Sequence, residues 1–181
     1  MTSDWTDRRR LATVYACFFC MTAIVFSLFS CQSSRTEIAE GLKAPSLEIL
    51  DTMSGQKVDM GQYKGRVMFV NFWATWCAPC REEVPSIEEL HRDLSADSRF
   101  AMITILYKDE SRSAHAYMKA GGYSFPVYAD QDGATAKRYK VTGVPETYLV
   151  DKKGVLRKRV IGPLDWNAAE ARAFLNTLLI E

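Results

Sequence analysis

Cys77 and Cys80 stand two residues apart in the stretch VMFVNFWATWCAPCREE, residues 67–83. Two thiols at that spacing can close a small disulfide ring and reopen it, so the chemistry they imply is reversible two-electron exchange. An apolar run of β-branched and aromatic residues (67–72) precedes them with the length of a buried strand, and a helical pattern follows at once. Cys77 therefore falls at or just before a helix N-terminus. Unpaired N–H groups and the helix dipole favour negative charge there, which lowers a thiol pKa and supplies thiolate near neutral pH. Trp76, directly before the pair, is expected to pack beside the disulfide and line a contact surface rather than react. Neither a cofactor nor a metal is expected: one CxxC supplies half a tetrahedral zinc set, and the two histidines, His91 and His115, read as surface residues on helix patterns.

The elements that must position this pair follow from periodicity. Residues 47–50 alternate, Ser54-Gly55 marks a turn, and Val58 with Met60 alternates again, which predicts a β-hairpin ahead of the central sheet. After the CxxC, apolar Val84, Ile87, Leu90 and Leu94 recur at helical spacing, predicting a helix over about 77–94 that Pro85 should kink. Residues 100–106 read as a second buried strand, and 111–120 as a helix ended by Gly121-Gly122. A short extended piece (125–128) and a brief helix (134–139) come next. Strands at 147–150 and 155–161, joined by the turn Asp151-Lys152-Lys153-Gly154, should pair as a hairpin. The chain closes with an amphipathic helix over 166–179, whose apolar side is expected to carry Ala169, Ala173, Phe174, Leu178 and Leu179. This alternation implies an α/β fold with a mixed central sheet and helices on both faces.

The chain has 181 residues and a net charge of +1, with no basic stripe, so a nucleic-acid partner is not expected. Three of its five cysteines (Cys17, Cys20, Cys31) lie in or beside an apolar N-terminal run, which excludes a disulfide framework for the rest. Arg8-Arg9-Arg10 precedes LATVYACFFCMTAIVFSLFS (11–30), which carries no charge. That length exceeds the ~7–15 residues of a signal-peptide core and approaches the ~20 that span a bilayer. The arginines should stay cytoplasmic, leaving the remainder outside. A buried soluble helix is the competing reading. The ending Leu28-Phe29-Ser30-Cys31 resembles a bacterial lipoprotein cleavage box, so the anchor is either a lipid on Cys31 or an uncleaved helix at about 11–30. Residues 1–31 thus read as signal peptide or membrane anchor, 32–43 as a polar tether, and 44–181 as the folded domain.

FWATWCAPC at a strand–helix junction resembles the active site of the thioredoxin superfamily, and the fold this implies is thioredoxin-like. Together with the following helix and the N-terminal hairpin, the motif is similar to the membrane-tethered TlpA/ResA/DsbE (CcmG) group of thiol–disulfide oxidoreductases, over roughly 44–181. Residues 140–148, KVTGVPETY, resemble the DsbE signature G-V-x-G-x-P-E-T-F, with Lys140 for glycine and Tyr148 for phenylalanine. Tyr107-Lys108-Asp109 also resembles a DsbE feature. The resemblance implies that Pro145 is a cis-proline beside the CxxC. A cis bond there turns the backbone of Val144 outward, where it can pair with an extended substrate and hold the target cysteine against Cys77. Glu146 is then either a substrate contact or a strand-end charge. Glu83 matches an acidic residue near the thiols in ResA-type proteins, where it raises thiol pKa values and relays protons; the alternative is a solvated helix-face glutamate. The resemblance further implies a reductant on the periplasmic side of a bacterial membrane. Its substrates would be protein disulfides such as those of apocytochrome c, and its electrons would come from a membrane thiol reductase of the DsbD/CcdA type.

Rival readings differ in motif. Oxidants of the DsbA kind often carry a histidine between the cysteines, where this chain has Ala78-Pro79. A peroxiredoxin's reactive cysteine does not sit in a CxxC, and a Sco-like copper chaperone needs CxxxC with a distal histidine. A binding lipoprotein with an inert CxxC is the remaining alternative, and it sits poorly with the activated thiol expected at a helix start.

Overall fold

The computed structural model describes residues 38–181. The arginine triplet, the apolar run, Cys17, Cys20 and the candidate anchor Cys31 lie outside the described residues, as does the first half of the tether. Six strands form one sheet in the order β1-β4-β3-β2-β5-β6. They are β1 (Leu50–Asp51), β2 (Val67–Trp73), β3 (Phe100–Leu106), β4 (Val127–Ala129), β5 (Glu146–Val150) and β6 (Leu156–Ile161). The central strand β2 runs parallel to β3 and antiparallel to β5, so the sheet is mixed as expected.

The alternation in β2 explains how it comes to lie at the centre. Val67, Phe69 and Trp73 point into one core, while Val70 and Phe72 point into another. A strand apolar on both sides is stable only where both faces are covered. On the first face lie α1 (Ala78–Leu94), α2 (Ser111–Gly121) and α4 (Ala169–Ile180), contributing Val84, Ile87, Leu90, Ala114, Met118, Leu175 and Leu178. The second face is covered by the five-residue α3 (Ala134–Arg138) with Tyr139, and by Leu47 and Ile49 from the N-terminal segment.

Three expectations shift. The N-terminal hairpin is short: Asp51 N–H donates to Gln56 O and Val58 N–H to Ile49 O, after which Met60–Tyr63 turns into a 3-10 helix. Asp59 caps that turn through the Gly61 N–H, which draws Met60 out of the hairpin. The tether ends earlier than residue 43. Gly41 N–H donates to Leu156 O, Leu156 N–H to Leu42 O, and Lys43 bridges to Val155, so residues 41–43 run along β6. The last helix starts at Ala169 rather than 166 and turns Ala169 and Ala173 to solvent, Leu175 taking the buried position. Trp166 lies before that helix, buried, because its backbone N–H and its indole N–H both find acceptors on α1.

The histidines are half-buried rather than superficial. His115 pairs with the Thr52 hydroxyl at 2.9 Å, and burial pushes the His91 imidazole below its usual pKa. A buried carboxylate also departs from the sequence pattern. Glu88 accepts from Ser124 N (2.7 Å), Ser124 Oγ (2.8 Å), Phe125 N (3.2 Å) and Arg92 Nε (2.9 Å), pinning the loop before β4 to α1. Burial raises its pKa, but these donors outweigh burial and hold it below the usual range. Glu88→Ala strands buried N–H groups and should cost about 3 kcal/mol by urea denaturation. The loss should shrink as pH falls through the carboxyl's titration, because a depressed folded pKa contributes stability only above it.

Candidate active site

Sheet register gathers the site at one end of the molecule. Phe72 of β2 pairs with Glu146 of β5, and Glu146 pairs with Ile161 of β6. The turn leaving β2, the loop entering β5 and the loop leaving β6 therefore meet. On the other side Trp73 pairs with Leu106, and Tyr107 N–H donates to Trp73 O, which adds the loop leaving β3.

The turn leaving β2 carries the cysteines. Thr75 N and Oγ1 both donate to Asp109 Oδ2, at 2.6 and 2.7 Å, and Trp76 Nε1 donates to Lys108 O at 3.2 Å. These three bonds clamp the turn, so Tyr107-Lys108-Asp109 acts as its anchor. Cys77 is the N-cap of α1 and is disulfide-bonded to Cys80 with Cα atoms 5.3 Å apart. Cys80 N–H points at Cys77 Sγ (3.2 Å), a donor that, with the helix N-terminus, stabilises charge on that sulfur once the bond is reduced. Both cysteines are buried, while the neighbouring Trp76 is 59% exposed. A flat aromatic surface thus borders a shielded disulfide, the arrangement expected for docking a partner chain.

The Val144–Pro145 peptide is cis, and Val144 O lies 3.4 Å from Cys77 Sγ. The loop is held from behind. Glu146 is fully buried and accepts from Arg159, with Thr142 N–H donating to its other oxygen at 3.3 Å. Arg159 also donates to Lys140 O (3.2 Å) and lies over the Tyr148 ring. Glu146, the first residue of β5, is a strand-end charge but not a solvated one: with no exposed surface, its carboxylate buttresses the proline loop. Lys140 has φ 51°, the left-handed region that favours glycine, which accounts for glycine at that place in the DsbE signature. Arg159→Ala leaves a buried carboxylate unpaired and should destabilise the protein by about 3 kcal/mol. Chemical denaturation checks that, and the loss should be smaller when Glu146 is also replaced by Gln.

Glu83 is the second departure from the solvated alternative. It is 3% exposed and lies one helical turn beyond Cys80. Oε1 accepts from Trp166 Nε1 at 2.7 Å and Leu164 N at 3.3 Å, and Oε2 faces Asn71 Nδ2 at 3.5 Å. Asn71 also donates to Thr147 Oγ1 at 2.8 Å, tying α1 to β5 through β2. Burial pushes the Glu83 carboxyl up to about 7, against the opposing pull of these donors. A carboxyl poised there can accept or return a proton at neutral pH. Asn71, Trp166 and Arg159 have no functional reading from sequence, while Asp109 and Thr147 enter there only within the DsbE-like stretches that contain them. Of the first three, only Asn71 left a signal, a polar residue inside an otherwise apolar strand.

Residues 39–175 match the family described as Redoxin. The chain belongs to the Redoxin family. It is 32% identical over 142 residues to the thioredoxin-like protein YneN of Bacillus subtilis, covering 77% of this chain and 81% of that protein. It is 30% identical over 132 residues to the thiol-disulfide oxidoreductase ResA of the same organism, covering 73% of each. Among solved structures, a thiol:disulfide interchange protein of the thioredoxin family from Chlorobium tepidum superposes with a TM-score of 0.67 at 25% identity, covering 79% of this chain and 99% of that one. The protein is thus a TlpA/ResA/DsbE-like member of the thioredoxin superfamily, and Cys77–Cys80 is the redox pair of a thiol–disulfide oxidoreductase.

Proposed function

We propose that this Redoxin-family protein is a reductase of protein disulfides, tethered on the periplasmic side of a bacterial membrane by a lipid on Cys31 or by a helix at about 11–30. Its proposed substrates are disulfides of apocytochrome c, or of other exported proteins, reduced before haem attachment. A membrane thiol reductase of the DsbD/CcdA type would return it to the dithiol state. The observation that carries the reading is the Val144 carbonyl 3.4 Å from Cys77 Sγ at a cis-proline, within the Pro-Glu-Thr stretch typical of the cytochrome-maturation branch.

The reduced pair works in two displacements. Cys77 thiolate attacks one sulfur of the substrate disulfide, and the departing substrate thiolate takes a proton from solvent. A substrate strand lying along Val144 and against Trp76 holds that sulfur in line. Cys80 then loses its proton to Glu83 and attacks Cys77 Sγ, releasing the second substrate thiolate, which is protonated in turn. Two electrons pass to the substrate, and the Cys77–Cys80 disulfide remains.

The equilibrium potential of the pair tests the direction of flow. A value near the ~−270 mV of thioredoxin is expected, and one near the ~−120 mV of strong oxidants would overturn the reductase reading. For the substrate, oxidised apocytochrome c should be reduced at least tenfold faster than an unrelated exported protein with a solvent-accessible disulfide. Equal rates would make this a general reductase.

A further inference from the structure

Glu83, buried one helical turn beyond Cys80, must both be held in place and exchange its proton with water. The loop leaving β6 supplies both. Gly162 N–H donates to Pro145 O, fastening this loop to the cis-proline, and Trp166 N–H donates to Ser86 Oγ on α1. Between them the loop lays Leu164 N and the Trp166 indole on Glu83 Oε1. The Trp166 ring is fully buried and meets Phe69 edge-on, centroids 4.6 Å apart, so the indole N–H has one orientation. On the other side of the carboxyl a cleft of about 360 Å³ opens between α1 and the same loop, lined by Glu82, Glu83, Ser86, Glu89, Leu164 and Asp165 among others.

We infer that Trp166 is a positioning residue for the exchange reaction: its indole N–H fixes the Glu83 carboxyl and favours the ionised form, and the adjoining cleft carries the proton to solvent. The inference rests on Glu83 being the proton acceptor for Cys80. The 2.7 Å indole bond is the shortest the carboxyl makes, against 3.3 and 3.5 Å for Leu164 and Asn71, so it dominates the carboxylate's stabilisation. Among the described residues, the groups hydrogen-bonded to Glu83 are uncharged, and the charged residues lining the cleft share its sign. Asn71 of β2 and Thr147 of β5 are neutral, while Glu82 and Glu89 of α1 and Asp165 of the loop are acidic. Among the described residues lining the cleft none is cationic. With no positive charge to hold the carboxylate, hydrogen bonds alone oppose its burial, and the indole is the strongest of them.

The test is a titration of Glu83 in the oxidised full-length chain, followed by carbon-13 NMR of its carboxyl and assigned with Glu83→Gln. In Trp166→Phe, which keeps an aromatic ring against Phe69 but removes the donor, the midpoint should rise from about 7 by at least one pH unit, a tenfold gain in proton affinity. Phe69→Leu loosens the same packing without touching the hydrogen bond and should leave the midpoint within a few tenths. An unmoved or lowered midpoint in Trp166→Phe would overturn the inference, as would equal shifts in both variants. The pH profile of Cys77–Cys80 exchange is measured alongside and should shift upward with the carboxyl. If the carboxyl shifts and the exchange profile does not, the proton-acceptor role of Glu83 fails while its linkage to Trp166 stands.

Discussion

Cys80→Ala protein, reduced and mixed with a disulfide substrate, should accumulate a covalent adduct through Cys77 and lose turnover by more than about 10³-fold. Cys77 has the two features of an attacking sulfur: it caps α1 and receives the Cys80 N–H, and it borders the Val144–Pro145 wall and the exposed Trp76. Cys80 is buried at 1% exposure within the helix, so no macromolecular disulfide reaches it before Cys77 has reacted. Its reach is to Cys77 Sγ, the bond already present in the oxidised state. Removing it blocks the second displacement and leaves the first intact, so the mixed disulfide persists until an external thiol resolves it. Non-reducing electrophoresis with intact-mass measurement reads the adduct directly. Cys77→Ala should give none, and an adduct formed equally by that variant would mean the roles are reversed.

Glu83→Gln should separate stability from activity. A carboxyl whose folded pKa is raised from 4.5 to about 7 binds a proton more tightly in the native state than in the unfolded chain. The native state therefore holds more protons between those values, and stability falls as pH rises through that window, levelling off above about 7. A shift of that size corresponds to about 3 kcal/mol. Glutamine copies the shape and neutrality of the protonated acid. The variant should match the parent near pH 5 and exceed it by roughly 2–3 kcal/mol at pH 8, as read by urea denaturation of the oxidised proteins. Its Oε1 keeps the Trp166 donor, and rotation of the Asn71 amide brings the otherwise unpaired Asn71 Oδ1 to the new amide nitrogen. Exchange should slow by about 10²-fold if Glu83 is, as proposed, the proton acceptor for Cys80. A stability difference that does not change between pH 5 and pH 8 would mean that the carboxyl is not held protonated by burial. Glu88 should show the opposite dependence, since its donors lower its pKa and its contribution fades in acid. Two buried glutamates five residues apart on one helix thus pull the pH profile in opposite directions.

How much of this was readable beforehand differs by element. β2, α1 and β3 are long and strongly periodic, and their observed bounds fall within a residue of the periodic pattern. The helix runs through Pro85 to Leu94, with Pro85, which has no N–H to offer the Arg81 carbonyl, on its exposed face. The short elements were less legible. β1 has two residues and is held largely by its pairing with β4, a contact between positions nearly eighty apart that no local pattern encodes. The last helix shows the same limit, because Trp166 continues its apolar rhythm yet is bound to Glu83 and Ser86 in the preceding loop.

The amino-acid order by itself determined the redox pair. Cys77 and Cys80 owe their geometry to a strand-to-helix junction, whose periodicity changes at those residues, and the attacking role proposed for Cys77 rests on its capping position. Pro145 was legible through the Pro-Glu-Thr resemblance. Only the tertiary structure decided what the charged residues beside these motifs do. Glu83 and Glu146 look alike in sequence, each three or fewer residues from a motif, yet one is buried against hydrogen-bond donors without a cation and the other against Arg159. The first is left near neutrality in its titration, while the second is paired and structural. A carboxyl's behaviour is set by its solvation and by the donors that converge on it, and those come from β2, β5 and the loop after β6, dispersed along the chain and joined by the sheet.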